Sequence, residues 1–165
     1  MGSTDHNLYA VDVNSGTLKW KFTTNGRVNS SPAVVSGVVY FGSYDANFYA
    51  VDAVTGKLKW KFKTKGERRY AATHLHGAEP AAETVPDPFD FYLSSPAVEK
   101  RTVYFGSGDG KPYALDASSG VLRGRFRPAM WYTPHPRWQD GTLFVGSWDS
   151  YFYALDAKRN LKVEV

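Results

Sequence analysis

The chain contains no cysteine. That absence excludes disulfides, thiolate zinc sites, thiol nucleophiles and lipid attachment through sulfur. It leaves the compartment open, because a cysteine-free protein persists in either redox environment. No apolar run approaches the ~20 residues of a membrane helix, and Met1-Gly2-Ser3-Thr4-Asp5-His6-Asn7 lacks a charged-then-apolar signal pattern. A glycine-rich phosphate loop, a serine-nucleophile motif and a His-Glu-x-x-His zinc motif are also missing. No stretch reads as a helix of consequence.

Aromatic residues are abundant: 5 Trp, 11 Tyr and 10 Phe in 165 residues, a load that favours β structure. Hydrophobic content of 42% and charge of 22% place the chain among globular proteins. The net charge of +4 comes largely from lysines that alternate with apolar residues, as in Leu58-Lys59-Trp60-Lys61-Phe62-Lys63. Such lysines read as a solvated face that guards an outer strand against edge pairing. They are not gathered with aromatics along a groove, so nucleic-acid binding is disfavoured.

Internal repetition organises the chain. Tyr9-Ala10-Val11-Asp12, Tyr49-Ala50-Val51-Asp52, Tyr113-Ala114-Leu115-Asp116 and Tyr153-Ala154-Leu155-Asp156 recur at spacings of 40, 64 and 40 residues. The middle spacing is 40 plus a 24-residue insertion. Asp5, Asp45, Asp109 and Asp149 each stand four residues before one of these tyrosines. Gly16…Trp20, Gly56…Trp60 and Gly120…Gly124 keep one frame downstream. Within a repeat, four strands are predicted: A over 32–35, B over 38–43, C over 48–52 and D over 58–63. Ser36-Gly37 and Thr55-Gly56 mark the intervening turns, where glycine takes φ > 0 cheaply. Four short strands in about 40 residues is the pattern of a β-propeller blade. The fold class is therefore all-β, with blades of four antiparallel strands.

The segments divide into a half blade over 5–22 (strands C and D), a blade over 30–63, an insertion over 65–93, and blades over 94–126 and 134–165. About three and a half blades make an arc of a seven- or eight-bladed ring. The sequence reads either as a piece of a longer protein or as a half-ring that pairs with a copy of itself. Exposed blade faces at the ends of an arc favour association.

Ala50-x-Asp52-x-x-Thr55-Gly56-x-x-x-Trp60, preceded by Ser31-Pro32-Ala33-Val34 and Val39-Tyr40-Phe41-Gly42-Ser43, resembles the pyrroloquinoline-quinone-type (PQQ-type) β-propeller repeat. That repeat occurs in quinoprotein dehydrogenases and in BamB-like envelope propellers. The resemblance implies that Asp12, Gly16, Trp20, Asp52, Gly56, Trp60, Asp116, Gly120 and Asp156 are structural repeat residues, with the tryptophan packed on the neighbouring blade. Gly124 and Val163 stand where the third and fourth repeats would carry tryptophan. The resemblance further implies a non-catalytic module of the bacterial cell envelope that acts as a protein- or ligand-binding scaffold, recognising a protein, peptide or envelope ligand in the periplasm or otherwise outside the cytoplasm. The alternative is part of a PQQ- and calcium-dependent dehydrogenase; otherwise no cofactor is expected and no catalytic residue is assigned.

The candidate binding face comprises Arg68, Arg69, His74 and His76 of the insertion, with Trp131, His135 and Trp148 of the aromatic fourth repeat. Long loops on a rigid scaffold often carry function, and B–C and D–A connections share one propeller face. His74 and His76 would point the same way from an extended strand, which makes them weak metal candidates with Glu79, Glu83, Asp87 or Asp90. Surface histidines with no metal role are the commoner reading of such a pair. The recurrent aspartates are more often turn-formers than ligands.

Overall fold

Alternation of apolar and charged residues, punctuated by Gly-containing turns, dictates short antiparallel strands rather than helices. The structure, a computed structural model, describes residues 1–65, 69–71, 84–86, 95–107, 111–125, 137–146, 152–156 and 161–164. Among these there is no helix, and so none long and apolar enough to cross a membrane.

The first sheet pairs β1 (Asn7–Val11) with β2 (Leu18–Thr23). The second runs β3 (Ala33–Val35), β4 (Val38–Ser43), β5 (Asn47–Asp52) and β6 (Leu58–Lys63) as an antiparallel meander. Its boundaries match strands A to D of the sequence within one residue. Between the second and third sheets, β7 (Arg69–Ala71) and β8 (Thr84–Pro86) pair as a separate hairpin. The third sheet repeats the meander with β9 (Ala97–Glu99), β10 (Thr102–Ser107), β11 (Lys111–Asp116) and β12 (Leu122–Arg125). The fourth does so with β13 (Arg137–Gln139), β14 (Thr142–Gly146), β15 (Phe152–Asp156) and β16 (Leu161–Glu164). The leading strands β3, β9 and β13 lie beside one another in turn.

The core sits between sheets, not within one. Leu8, Phe22 and Trp20 of the first sheet meet Val39, Phe41, Tyr49 and Val51 of the second. The opposite face of the second sheet, with Tyr40, Phe48, Trp60 and Phe62, meets Val103, Phe105, Tyr113 and Leu115 of the third. Period-two alternation explains this directly: Phe48 and Ala50 point one way along β5, Tyr49 and Val51 the other. Phe48 stacks on Phe105 at 3.8 Å with an interplanar angle of 6°, while Phe62 meets Tyr113 edge-on.

Two features lie beyond the sequence reading. Met1–Ser3 runs antiparallel beside β1: Tyr9 N–H donates to the Met1 carbonyl at 2.8 Å and Ser3 N–H to the Asn7 carbonyl at 3.0 Å. The first repeat thus begins before Asp5, and Gly2-Ser3 stands 40 residues ahead of Gly42-Ser43. Second, the first three sheets share a register shift at Ala10/Val11, Ala50/Val51 and Ala114/Leu115. The fourth pairs without that shift. Its repeat is one residue shorter, so there is no extra residue to bulge.

Candidate functional site

Three repeat aspartates, Asp12, Asp52 and Asp116, close their own turns. Asp52 Oδ1 accepts the N–H groups of Val54 and Thr55 and the Thr55 hydroxyl at 2.9–3.1 Å. Asp12 does the same with Asn14 and Ser15, and Asp116 with Ser118 and Ser119. Each glycine that ends the turn is left-handed: φ is 69° at Gly16, 69° at Gly56 and 72° at Gly120. Only glycine occupies that region without a Cβ penalty.

The second oxygen of each aspartate faces a cation seven residues on. Lys19 lies 2.9 Å from Asp12, Lys59 lies 3.7 Å from Asp52, and Arg123 pairs with Asp116 while also donating to Thr102 Oγ1 at 3.1 Å. The first lysine of the outer strand is therefore an ion-pair partner as well as a solvated residue. The sequence carried this signal as a threefold Asp-to-Lys/Arg spacing of seven. Asp116 is held well below the usual carboxylate range by the Ser118 hydroxyl and then Arg123. Asp12 is lowered by Lys19 and the Ser15 N–H, and Asp52 by the Thr55 N–H and hydroxyl.

These turns receive the tryptophans. The Trp20 indole donates to the Ala53 carbonyl at 3.1 Å and its ring lies over Gly56, where an added Cβ would sit 2.7 Å from Cδ2. The Trp60 indole donates to the Ala117 carbonyl at 3.0 Å and covers Gly120 in the same way. Tyr40 donates its hydroxyl to that Ala117 carbonyl at 3.0 Å, a partner that no repeat position announces. So Trp20 meets the turn of Asp52 and Gly56, and Trp60 the turn of Asp116 and Gly120. Gly124 leaves open space where a Cβ would stand, among the described residues. Asp156 ends β15 opposite Leu161.

Asp5 and Asp45 of the other recurrent aspartates form turns too, while Asp109 and Asp149 lie outside the described residues. Asp45 accepts from Asn47 N–H at 3.0 Å, the Tyr49 hydroxyl at 2.6 Å and Asn25 N–H at 3.1 Å. Asp5 accepts from Asn7 N–H and from Tyr9, whose hydroxyl brings its pKa down to about 2. Arg69 lies in β7, opposite Pro86. Arg68, His74, His76, Trp131, His135 and Trp148 lie outside the described residues. Among the described residues, no three His, Asp or Glu side chains gather as a metal site.

Four-stranded antiparallel meanders docked face to face, with their leading strands side by side, define a β-propeller protein. The family model described as outer membrane protein assembly factor BamB matches residues 1–123, and the chain belongs to that family. It is similar to BamB from Moraxella catarrhalis, with a TM-score of 0.74 and 17% identity over 98% of this chain. It spans 43% of that protein's length. Sqt1 of Saccharomyces cerevisiae is similar too, with a TM-score of 0.76 and 17% identity over 98% of this chain and 43% of its own. The computationally designed Ika4 protein has a TM-score of 0.68 and 16% identity over 94% of this chain and 82% of its own. No curated protein matches the sequence significantly. At these identities the structural likenesses speak to fold alone.

Proposed function

We propose that the chain is a non-catalytic, protein-binding propeller scaffold of the bacterial cell envelope. Membership of a family described as an outer membrane protein assembly factor carries this reading. The chemistry of the repeats supports it. Asp12, Asp52 and Asp116 each direct one oxygen to their own turn and the other to a cation, so these carboxylates serve architecture. Trp20 and Trp60 act as docking residues that hold successive blades in register.

Recognition is assigned to the insertion over 65–93 and to the aromatic segment with Trp131, His135 and Trp148. The hairpin of β7 and β8 belongs to none of the four propeller sheets, as befits an element added for contact rather than for the ring. The test is crosslinked capture from bacterial envelope extracts by the intact chain and by a chain lacking residues 66–93. Loss of capture with the shortened form, at unchanged circular dichroism, supports the assignment; equal capture removes the insertion from it. Titration with PQQ and calcium should leave tryptophan fluorescence unchanged. Saturable quenching that requires calcium would favour the dehydrogenase reading instead.

A further inference from the structure

The third sheet breaks the repeat at its first turn. In the second and fourth sheets the two-residue A–B turns are Ser36-Gly37 and Asp140-Gly141, with φ of 49° and 74° and of 49° and 87°. Two left-handed residues in succession make a hairpin turn that glycine at the second position suits best. The third sheet has Lys100-Arg101 instead, between Glu99 and Thr102. Lys100 keeps a left-handed φ of 51°, and Arg101 is not left-handed. Neither residue is one that a two-residue hairpin turn favours, and a disfavoured backbone kept without local gain points to function.

Charge is the second departure. Asp12 and Asp52 each face one lysine, whereas Asp116 faces two arginines. Its Oδ1 is filled by the N–H and hydroxyl groups of Ser118 and Ser119, and its Oδ2 by Arg123, which also donates to Thr102 Oγ1. Arg101 stands 3.8 Å from that Oδ2, too far to hydrogen-bond, with its side chain 75% exposed. One carboxylate thus meets two guanidiniums, and Lys100 adjoins them in the chain. Among the described residues, Glu99 pairs with none of these cations. Val121, 63% exposed, follows the Asp116–Gly120 turn.

We propose that Lys100, Arg101 and Arg123 form a docking site for an acidic segment of a protein partner, one whose carboxylates lie next to an apolar residue. Arg101 offers a planar fork of donors uncommitted among the described residues, and Arg123 a guanidinium already fixed at two points. Val121 is the apolar neighbour. A–B and C–D turns share the propeller face opposite the insertion, so this site is separate from the one assigned above. The inference rests on the protein-binding reading, but deletion of residues 66–93 leaves these turns in place, so the two sites succeed or fail independently.

The probes are the peptide Gly-Leu-Glu-Glu-Leu-Gly and its neutral counterpart Gly-Leu-Gln-Gln-Leu-Gly, titrated at low salt into the full chain labelled with nitrogen-15. Saturable shifts of the Arg101 and Arg123 side-chain N–H resonances are expected with the acidic peptide at millimolar concentration, and should shrink as salt is added. They should be absent with the neutral peptide. Arg101→Gly introduces the residue of the second and fourth turns. It should weaken binding about tenfold, read at Arg123 and Lys100, without lowering the melting temperature. An arginine kept only for its ion pair with Asp116 gives the opposite, a lower melting temperature with unchanged binding, and that result overturns the proposal. So does the absence of saturable shifts, or equal shifts with the two peptides. The peptide comparison leaves the chain untouched, so it decides the matter even if the variant misfolds. Cosedimentation with phosphatidylglycerol vesicles that requires Arg101, without saturable peptide shifts, overturns it in favour of a phosphate-bearing surface.

Discussion

The indole nitrogen of Trp60 lies 3.0 Å from the carbonyl oxygen of Ala117, joining an outer strand to a turn 57 residues further along the chain. This contact and its counterpart from Trp20 to Ala53 tie one sheet to the next. Aromatic stacking between Phe48 and Phe105 fills the space beneath the Trp60 joint.

Trp60→Ala should destabilise the chain by ~3–5 kcal/mol, the usual cost of removing a buried tryptophan. Trp60 is only 9% exposed, and its loss leaves the Ala117 carbonyl without its indole donor. Trp60→Phe, which keeps much of the packing, should cost less, with the lost hydrogen bond contributing about 1 kcal/mol. Trp20→Ala should fall below Trp60→Ala because Trp20 is half-buried. Urea denaturation followed by circular dichroism measures all three.

Gly56→Ala and Gly16→Ala isolate the indole contact. Both place a Cβ in left-handed backbone, at a cost of ~1–2 kcal/mol. Only at Gly56 does that Cβ meet a ring, at 2.7 Å from Trp20, so Gly56→Ala should cost a further ~1–3 kcal/mol. Equal destabilisation of the two variants in thermal melts would contradict the stacked geometry.

Among the turn aspartates, Asp116→Asn should be the most damaging. Asp116 is 8% exposed and faces Arg123 at close range and Arg101 at 3.8 Å, whereas the Lys19 and Lys59 partners of Asp12 and Asp52 sit in more exposed pairs. Removing its charge leaves Arg123 half-covered beside a neutral amide. The expected order of denaturation midpoints is wild type, then Asp12→Asn and Asp52→Asn, then Asp116→Asn lowest.

Stability should fall at both ends of the pH scale. Asp5, Asp12, Asp52 and Asp116 have native pKa values below their ordinary 3.8, about 2 for Asp5. Their ionised forms favour the fold above pH 3.8, and that contribution is lost as pH falls through the native values. Tyr49 is pushed well above 10, by burial and then by its bond to Asp45, and burial also raises Tyr40 and Tyr104. Their contribution is complete below pH 10 and is lost as pH rises through the raised values. Tyrosinate absorbance should therefore lag behind that of free tyrosine until the chain unfolds.

Local chemistry carries the strands and turns. Alternation such as Leu58-Lys59-Trp60-Lys61-Phe62, with Asp52 and Gly56 before it, specifies an outer strand and its turn, because a period of two and a left-handed glycine are properties of a few adjacent residues. The register of Val163 opposite Ala154 was likewise legible, once the shorter turn was counted. The pairing of Asp52 with Lys59 was present as a spacing but invisible as a contact, since a solvated lysine and an ion-paired one have the same local sequence.

By itself, then, the sequence determined the repeat, the strand boundaries and the family, all of which follow from local periodicity and motif. Only the tertiary structure decided which turn each tryptophan meets, that Tyr40 shares the Ala117 carbonyl, that Met1–Ser3 extends the first repeat, and that Gly16 lies uncovered. Those are relations between residues tens of positions apart, or between strands the pattern leaves equivalent. They are fixed by which sheet face packs against which, and no local preference encodes that.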